Sequence, residues 1–195
     1  MTTATELQRR ARFAALVAEV GEPVQRYLRR RTDADTADDV LSEVLLVCWR
    51  RLDEIPVDAL PWVFVVARNC LANARRAARR RERLVQRIRV VDPPEPVASV
   101  ADTADGSAGG RVDDADAEVR AALDRLRPAE AEVLRLWAWE ELTPAQISVV
   151  LEISANAVSI RLHRAKKALR AELLRDERRK VGPDAGHVGD DGGSR

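Results

Sequence analysis

Hydrophobic positions recur along the chain at intervals of three and four, and strand-type alternation is nowhere sustained. Phe13, Leu16, Val17 and Val20 share one face of a first helix, predicted from Thr5 to Val20 and ended by Gly21. Pro23 then opens a second helix carrying Val24, Tyr27 and Leu28. It ends in Arg29, Arg30 and Arg31, where cations suit the helix C-terminus. Thr36 reads as the cap of a third helix, with Asp38 and Asp39 in its first turn. Leu41, Leu45, Cys48 and Leu52 form one apolar row there, and Val40, Val44 and Val47 another, so this helix is expected to pack on two sides. After a loop from Asp53 to Leu60, Pro61 starts a fourth helix. It is strongly apolar from Trp62 to Leu71 and abruptly basic from Asn73 to Arg83. With aromatics at only 4% and alanine, leucine and arginine dominant, the pattern predicts an all-α fold.

From Val90 to about Asp114 the periodicity stops, and proline, glycine, serine, alanine and aspartate take over. Such a stretch has little to bury and reads as a flexible acidic linker. The expected organisation is two small helical domains, residues 1–88 and 116–175, joined by a linker over 89–115 and followed by a disordered tail over 176–195. In the second domain, Val119, Ala122, Leu123 and Leu126 mark one helix. Pro128 begins another, with Val133, Leu136 and Trp137 inward.

The most informative stretch is TPAQISVVLEISANAVSIRLHRAKKAL, from Thr143 to Leu169. Thr143, Pro144 and Gln146 make a capping box with proline at the first helical position. Ile147, Val150 and Leu151 give that helix its apolar face. Ser154 caps a second helix, whose buried stripe is Val158, Leu162, Ala165 and Leu169. Ala155, Asn156, Ser159, Ile160, His163, Arg164 and Lys167 then face outward. Small and polar residues lead and cations follow, an order that lets a helix approach base edges while its charges meet phosphates. The connection reads Leu151-Glu152-Ile153, where such turns often use glycine, which sets Glu152 at a position that calls for a left-handed backbone. A helical hairpin with a solvated basic face shares the spacing; the two caps and the tight connection favour a helix-turn-helix.

Charge sharpens this picture. A third of the residues are charged, yet the formal net charge is +1, because arginines crowd 75–83 and 161–180 while acids crowd 92–118. Separate basic patches around an acidic middle suggest contact with nucleic acid at two places. Asn69 and Asn73 share a face where the fourth helix turns basic; their amides suit a base edge as well as they suit local hydrogen bonds. Cys48 and Cys70 lie in apolar helical patterns with no companion histidine at ligand spacing, so they read as small core residues, with no metal and no cofactor expected. The sequence holds no apolar run long enough to span a membrane and no signal-peptide core, so no membrane insertion and a cytoplasmic location are expected. No phosphate loop, paired catalytic carboxylates or nucleophile–base arrangement is present, and no enzymatic activity is expected.

Taken together, the two halves resemble bacterial RNA polymerase sigma factors of the sigma-70 family, in particular the extracytoplasmic-function (ECF) subgroup. ADDVLSEVLLVCW (Ala37 to Trp49) resembles the family's core-polymerase-binding helix, and PWVFVVARNCLANARR (Pro61 to Arg76) the segment that handles the −10 promoter element. The stretch from Pro128 to Leu169 resembles the domain that reads the −35 element, with VSIRLHRAKKAL its most specific part. The resemblance implies a function in promoter recognition, DNA melting and transcription initiation, with core RNA polymerase and promoter DNA as partners. Members are often held by an anti-sigma factor, a further candidate partner. By family position, Asn156, Ser159, Ile160, His163, Arg164 and Lys167 would face the −35 duplex. Asn69, Asn73, Arg76, Arg79 and Arg80 would meet the separated −10 strand, with the loop from Leu52 to Pro61 holding a flipped base. Asp39, Glu43 and Trp49 would contact the polymerase. The acidic linker, by position, either threads the polymerase cleft or serves as a plain tether. Ser42, Ala145 and Glu152 depart from the residues usual in the family. The alternative is a stand-alone helix-turn-helix transcriptional regulator, which would bind duplex DNA without polymerase.

Overall fold

The computed structural model describes residues 2–91 and 114–180, and those residues form helices with no strand among them. In chain order they are α1 (Thr2–Arg29), α2 (Ala34–Arg50), α3 (Ala59–Val91), α4 (Asp114–Asp124), α5 (Pro128–Ala138), α6 (Pro144–Leu151) and α7 (Ala155–Lys180), with a short 3-10 turn at Leu52–Glu54. The all-α expectation holds. Most of the expected linker, residues 92–113, and most of the expected tail, 181–195, lie outside the described residues. The flanks differ from the sequence reading: α3 continues to Val91, α4 starts at Asp114, and α7 carries Asp176 through to Lys180. That last extension has a partner, because Arg125 after α4 pairs with both Glu172 and Asp176.

The expected break at Gly21 and Pro23 does not occur, and α1 runs through both. An interior proline costs roughly 3 kcal/mol. Val20, Val24, Tyr27 and Leu28 are each at most 1% exposed, however. Burying each such side chain returns about 1.5–3 kcal/mol, so tertiary packing prevails over the local signal. The start of α2 also differs. Asp33, not Thr36, is its cap, accepting the Thr36 backbone N–H at 2.8 Å. That backbone bond, followed by the Thr36 hydroxyl, holds the Asp33 carboxyl below its ordinary pKa.

In the first half, α1, α2 and α3 pack against one another. Val40, Val44 and Cys48 of α2 are buried, while Leu41 and Val47 sit partly buried at the edges of the same core, as the two apolar rows required. Phe64 of α3 lies 5.1 Å from Tyr27 of α1, ring centre to ring centre. Cys48 and Cys70 are free and buried, and burial pushes each thiol up to about 11.

In the second half, α7 packs on α4, α5 and α6. Trp137 is not inward as expected but 40% exposed. Val133, Leu134 and Leu136 already fill the interior of the short α5. The Trp137 ring lies instead beneath the Lys166 ammonium at 3.5 Å, on the rim of an apolar groove of about 360 Å³ between α5 and α7.

The halves are packed together. α6 lies against α3 as well as α7, and one cluster of buried side chains is continuous across both halves. At the junction Gln146 donates to Asp58 at 3.2 Å, while Arg30 and Arg31 at the end of α1 reach Glu140, just after α5. Among the described residues no single helix is long and apolar enough to cross a membrane.

Tyr27 is the chain's one tyrosine, and burial raises its pKa from 10.0 to about 12. Between those values the unfolded chain ionises first and the folded state holds the extra proton, so stability falls as pH rises through that window. A spectrophotometric titration at 295 nm is expected to show tyrosinate forming near pH 12, with loss of up to about 3 kcal/mol of folding free energy across the interval. A midpoint near 10 in a still-helical protein would contradict the buried ring.

Candidate nucleic-acid interface

The second half ends in a helix-turn-helix whose parts follow from local chemistry. Thr143 accepts from the Gln146 backbone N–H at 3.3 Å, and the Gln146 side chain accepts the Thr143 N–H at 3.0 Å, so the capping box closes as read. Ser154 accepts from Ala157 N–H at 3.2 Å and caps α7. Between them the chain bends by 104°, within the range of helix-turn-helix units. Glu152 takes a left-handed backbone, φ 54°, as the missing glycine implied. The turn is closed by Glu152 N–H to the Val149 carbonyl at 3.3 Å and Ile153 N–H to the Ser148 carbonyl at 3.1 Å.

α7 divides cleanly by face. Val158 and Ala165 are fully buried and Leu162 nearly so, while Leu169 is partly buried. Asn156, Ser159, Ile160, His163, Arg164 and Lys167 are all exposed, with Ile160 at 45%. Ser159 spends its hydroxyl proton on the Ala155 carbonyl at 3.0 Å, leaving the oxygen free to accept. The exposed surface can therefore donate through Asn156, His163, Arg164 and Lys167, and offers Ile160 as an apolar contact.

On α3, Asn69, Asn73, Arg76, Arg79 and Arg80 are exposed too. Asn69, Asn73, Arg76 and Arg80 fall along one stripe, and Arg76 donates to the Asn73 side-chain oxygen. Arg79 belongs to the neighbouring face with Arg68 and Arg75. That face, with Arg76 at its border with the stripe, lines a crevice of about 510 Å³ opposite Glu132 and Arg135 of α5. The loop that follows α2 splits in character: Leu52 and Ile55 are buried, while Val57 stands fully in solvent.

On α2, Asp39 and Glu43 are exposed four residues apart on one face. Leu46, 46% exposed, continues that face by a further turn. Trp49 is only partly exposed: Phe13 meets it edge-on at 5.2 Å, and Arg9 covers its ring at 5.1 Å and donates to its carbonyl at 2.8 Å.

Residues 116–169 match the description "Sigma-70, region 4". Over 176 residues the chain is 34% identical to the ECF RNA polymerase sigma factor SigL of Mycobacterium tuberculosis, covering 84% of this chain and 89% of that protein. This chain belongs to the ECF RNA polymerase sigma factors. It is also 29% identical over 154 residues to the sigma factor EcfG of Rhodopseudomonas palustris, covering 78% of this chain and 79% of that one. The solved structure of CnrH in complex with the cytosolic domain of CnrY shares the fold, with a TM-score of 0.56 at 23% identity, covering 84% of this chain and 88% of that one.

As a sigma factor the chain functions in transcription initiation. Of the surfaces described, sequence reasoning missed Leu46, Val57 and Arg68. Leu46 and Val57 could have been found only as apolar residues left over once the core rows were assigned. Arg68 carries no signal of its own, since its face becomes a crevice only where Tyr27, Arg31 and α5 pack beside it.

A left-handed backbone costs a residue with a Cβ about 1–2 kcal/mol, and glycine loses ~0.5–1 kcal/mol of that advantage to chain entropy. Glu152→Gly is therefore expected to stabilise the sigma factor by about 0.5–1 kcal/mol, read as a higher denaturation midpoint in urea. A lower midpoint would mean that the Glu152 side chain contributes more than its backbone costs.

Proposed function

We propose that this sigma factor grips promoter DNA with two separate surfaces while a third holds core RNA polymerase. The observation that carries the reading is the clean division of α7, with its apolar stripe buried and every candidate −35 residue in solvent. In this reading Arg164 and Asn156 take base edges or phosphates of the −35 duplex, Lys167 and His163 add phosphate contacts, Ser159 accepts, and Ile160 meets a thymine methyl. The stripe of Asn69, Asn73, Arg76 and Arg80, with Arg79 beside it, follows the opened −10 strand. The loop containing Val57 receives an unstacked base. Unpairing costs a few kcal/mol per base step, offset by these stacking and backbone contacts.

Asp39 and Glu43 present negative charge to a basic partner helix of the polymerase, with Leu46 as the apolar part of that surface. Trp49, held by Phe13 and Arg9, fixes the end of α2 and offers only its remaining edge. The functional division is 1–88 for polymerase and −10 contacts and 116–175 for the −35 element, with 89–115 between them and 176–195 beyond. The protein acts in the cytoplasm, catalyses nothing by itself, takes no cofactor, and is a candidate for capture by an anti-sigma factor. The competing reading, a stand-alone regulator, requires promoter binding without polymerase.

Two experiments test this. Arg164→Ala is expected to weaken binding of holoenzyme to −35-containing duplex by ~1–3 kcal/mol if the guanidinium makes a bidentate base contact. An unchanged footprint would remove Arg164 from the interface. Asp39→Lys combined with Glu43→Lys is expected to lower affinity for core polymerase by about tenfold or more with helix content intact. Wild-type affinity would reject the assignment.

A further inference from the structure

The crevice between α3 and α5 holds more positive charge than the fold itself uses. Six arginines and one glutamate line it, together with Tyr27, Leu71 and Ala72. Two of those arginines are engaged inside the protein. Arg31 pairs with Glu132 at 3.3 Å and with the buried Glu140 at 3.1 Å, and its guanidinium lies 3.7 Å from the centre of the Tyr27 ring. Arg135 pairs with Asp124 at 2.7 Å. Arg68, Arg75, Arg76 and Arg79 remain, all exposed. Among the described residues no carboxylate comes within ion-pair distance of any of these four. Arg75 and Arg76 each donate to one neutral oxygen, the Arg31 carbonyl and the Asn73 side chain, and a guanidinium has five donors in all. Arg79 lies four residues from Arg75 and three from Arg76, spacings at which like charges on a helix oppose each other.

Shape separates this site from a solvated basic face. α5 forms the opposite wall, so the guanidiniums border a cavity of about 510 Å³, within the roughly 300–1,000 Å³ of small-molecule pockets. Ala72 sits one turn from both Arg68 and Arg76, and its small side chain leaves room that a longer one would fill. Arg68 to Arg79 covers roughly 16 Å of helix at 1.5 Å per residue, a span suited to phosphoryl groups in a chain rather than to one phosphate. Guanidinium forks pair with phosphate oxygens two at a time, and the Glu132 carboxylate is drawn off by Arg31. We propose that the crevice between α3 and α5 binds a small oligophosphate, its linked phosphoryl groups held by Arg68, Arg75, Arg76 and Arg79. Nucleoside triphosphates and inorganic polyphosphates share this chemistry. Arg76 and Arg79 also belong to the proposed −10 surface, so a bound oligophosphate would compete with an opened strand for them. That consequence rests on the reading above; the binding itself does not, because Arg68 and Arg75 have no part in it.

Isothermal titration calorimetry of the full chain, without DNA or polymerase, tests the site. Sodium tripolyphosphate and ATP, each free of divalent cations, are the probes, with orthophosphate and AMP as single-phosphate controls. One site per chain is expected for at least one probe, at least about tenfold tighter than for its control. Tighter binding of tripolyphosphate would identify an inorganic chain as the source, and tighter binding of ATP a nucleotide. Arg68→Gln is expected to weaken binding by about tenfold or more, through loss of hydrogen bonds between charged groups. Ala72→Leu changes no charge and is expected to weaken it comparably by filling the crevice. Arg50→Gln removes the same charge near Trp49, which Arg9 covers. Arg9 and Arg31 are roughly 33 Å apart along α1 at 1.5 Å per residue, several screening lengths, so this variant should bind within about twofold of wild type. Arg68 and Ala72 are both exposed, and circular dichroism should show unchanged helix content; if either variant loses helix, the other decides. Absence of binding by both probes, single phosphates bound as tightly, undiminished binding to folded Ala72→Leu, or an Arg50→Gln loss equal to that of Arg68→Gln would each overturn the site.

Discussion

A carboxylate withdrawn from water must keep its positive partners, and the arrangement of the two halves answers to that constraint at Glu140. Removing one member of a buried ion pair costs about 3–5 kcal/mol, a large share of the 5–15 kcal/mol that typically separates folded from unfolded chains. The partners of Glu140 are positioned by hydrophobic packing elsewhere. Val20, Val24 and Leu28 seat α1, which carries on past Pro23 and sets Tyr27 against Phe64. Tyr27 in turn supports the Arg31 guanidinium. Had α1 broken at Gly21, Arg30 and Arg31 would have lost the direction that brings them to Glu140.

The long helices share a division of labour. Each buries a stripe that fixes its position and leaves another stripe to chemistry: Val63, Ala67, Cys70 and Leu71 against Asn69, Asn73, Arg76 and Arg80 on α3, and Val158, Leu162 and Ala165 against Ser159, Ile160 and Arg164 on α7. The residues that keep the helices in place are not the ones left exposed for the proposed contacts. Changes to the exposed stripes should therefore alter binding without unfolding the protein, an advantage for any surface that must diverge to read different sequences.

What the sequence made legible was whatever is written locally. Thr143, Gln146 and Ser154 cap their helices within three residues of themselves, and Glu152 betrays its turn by not being glycine, so the helix-turn-helix could be read almost residue by residue. The apolar rows of α2 likewise stated that it packs on two sides. Long-range facts left no such trace. Arg30 and Arg31 looked like ordinary cations at a helix end, because nothing near them points to a carboxylate more than 100 residues away. Pro23 looked like a helix start, because its local signal is real and only the buried neighbours overrule it. Trp137 looked like core, because helical spacing cannot tell a filled interior from a groove with a lysine over it. The candidate residues on α3 were legible as a set, yet which of them border a crevice depends on α5.

Cys48 and Cys70 carry one more implication. Each thiol is shut within the α2–α3 core and held protonated up to about 11, and the thiolate is the form that oxidants and electrophiles attack. In the folded sigma factor neither sulfur is held as a ready thiolate, and both serve the packing of α2 against α3.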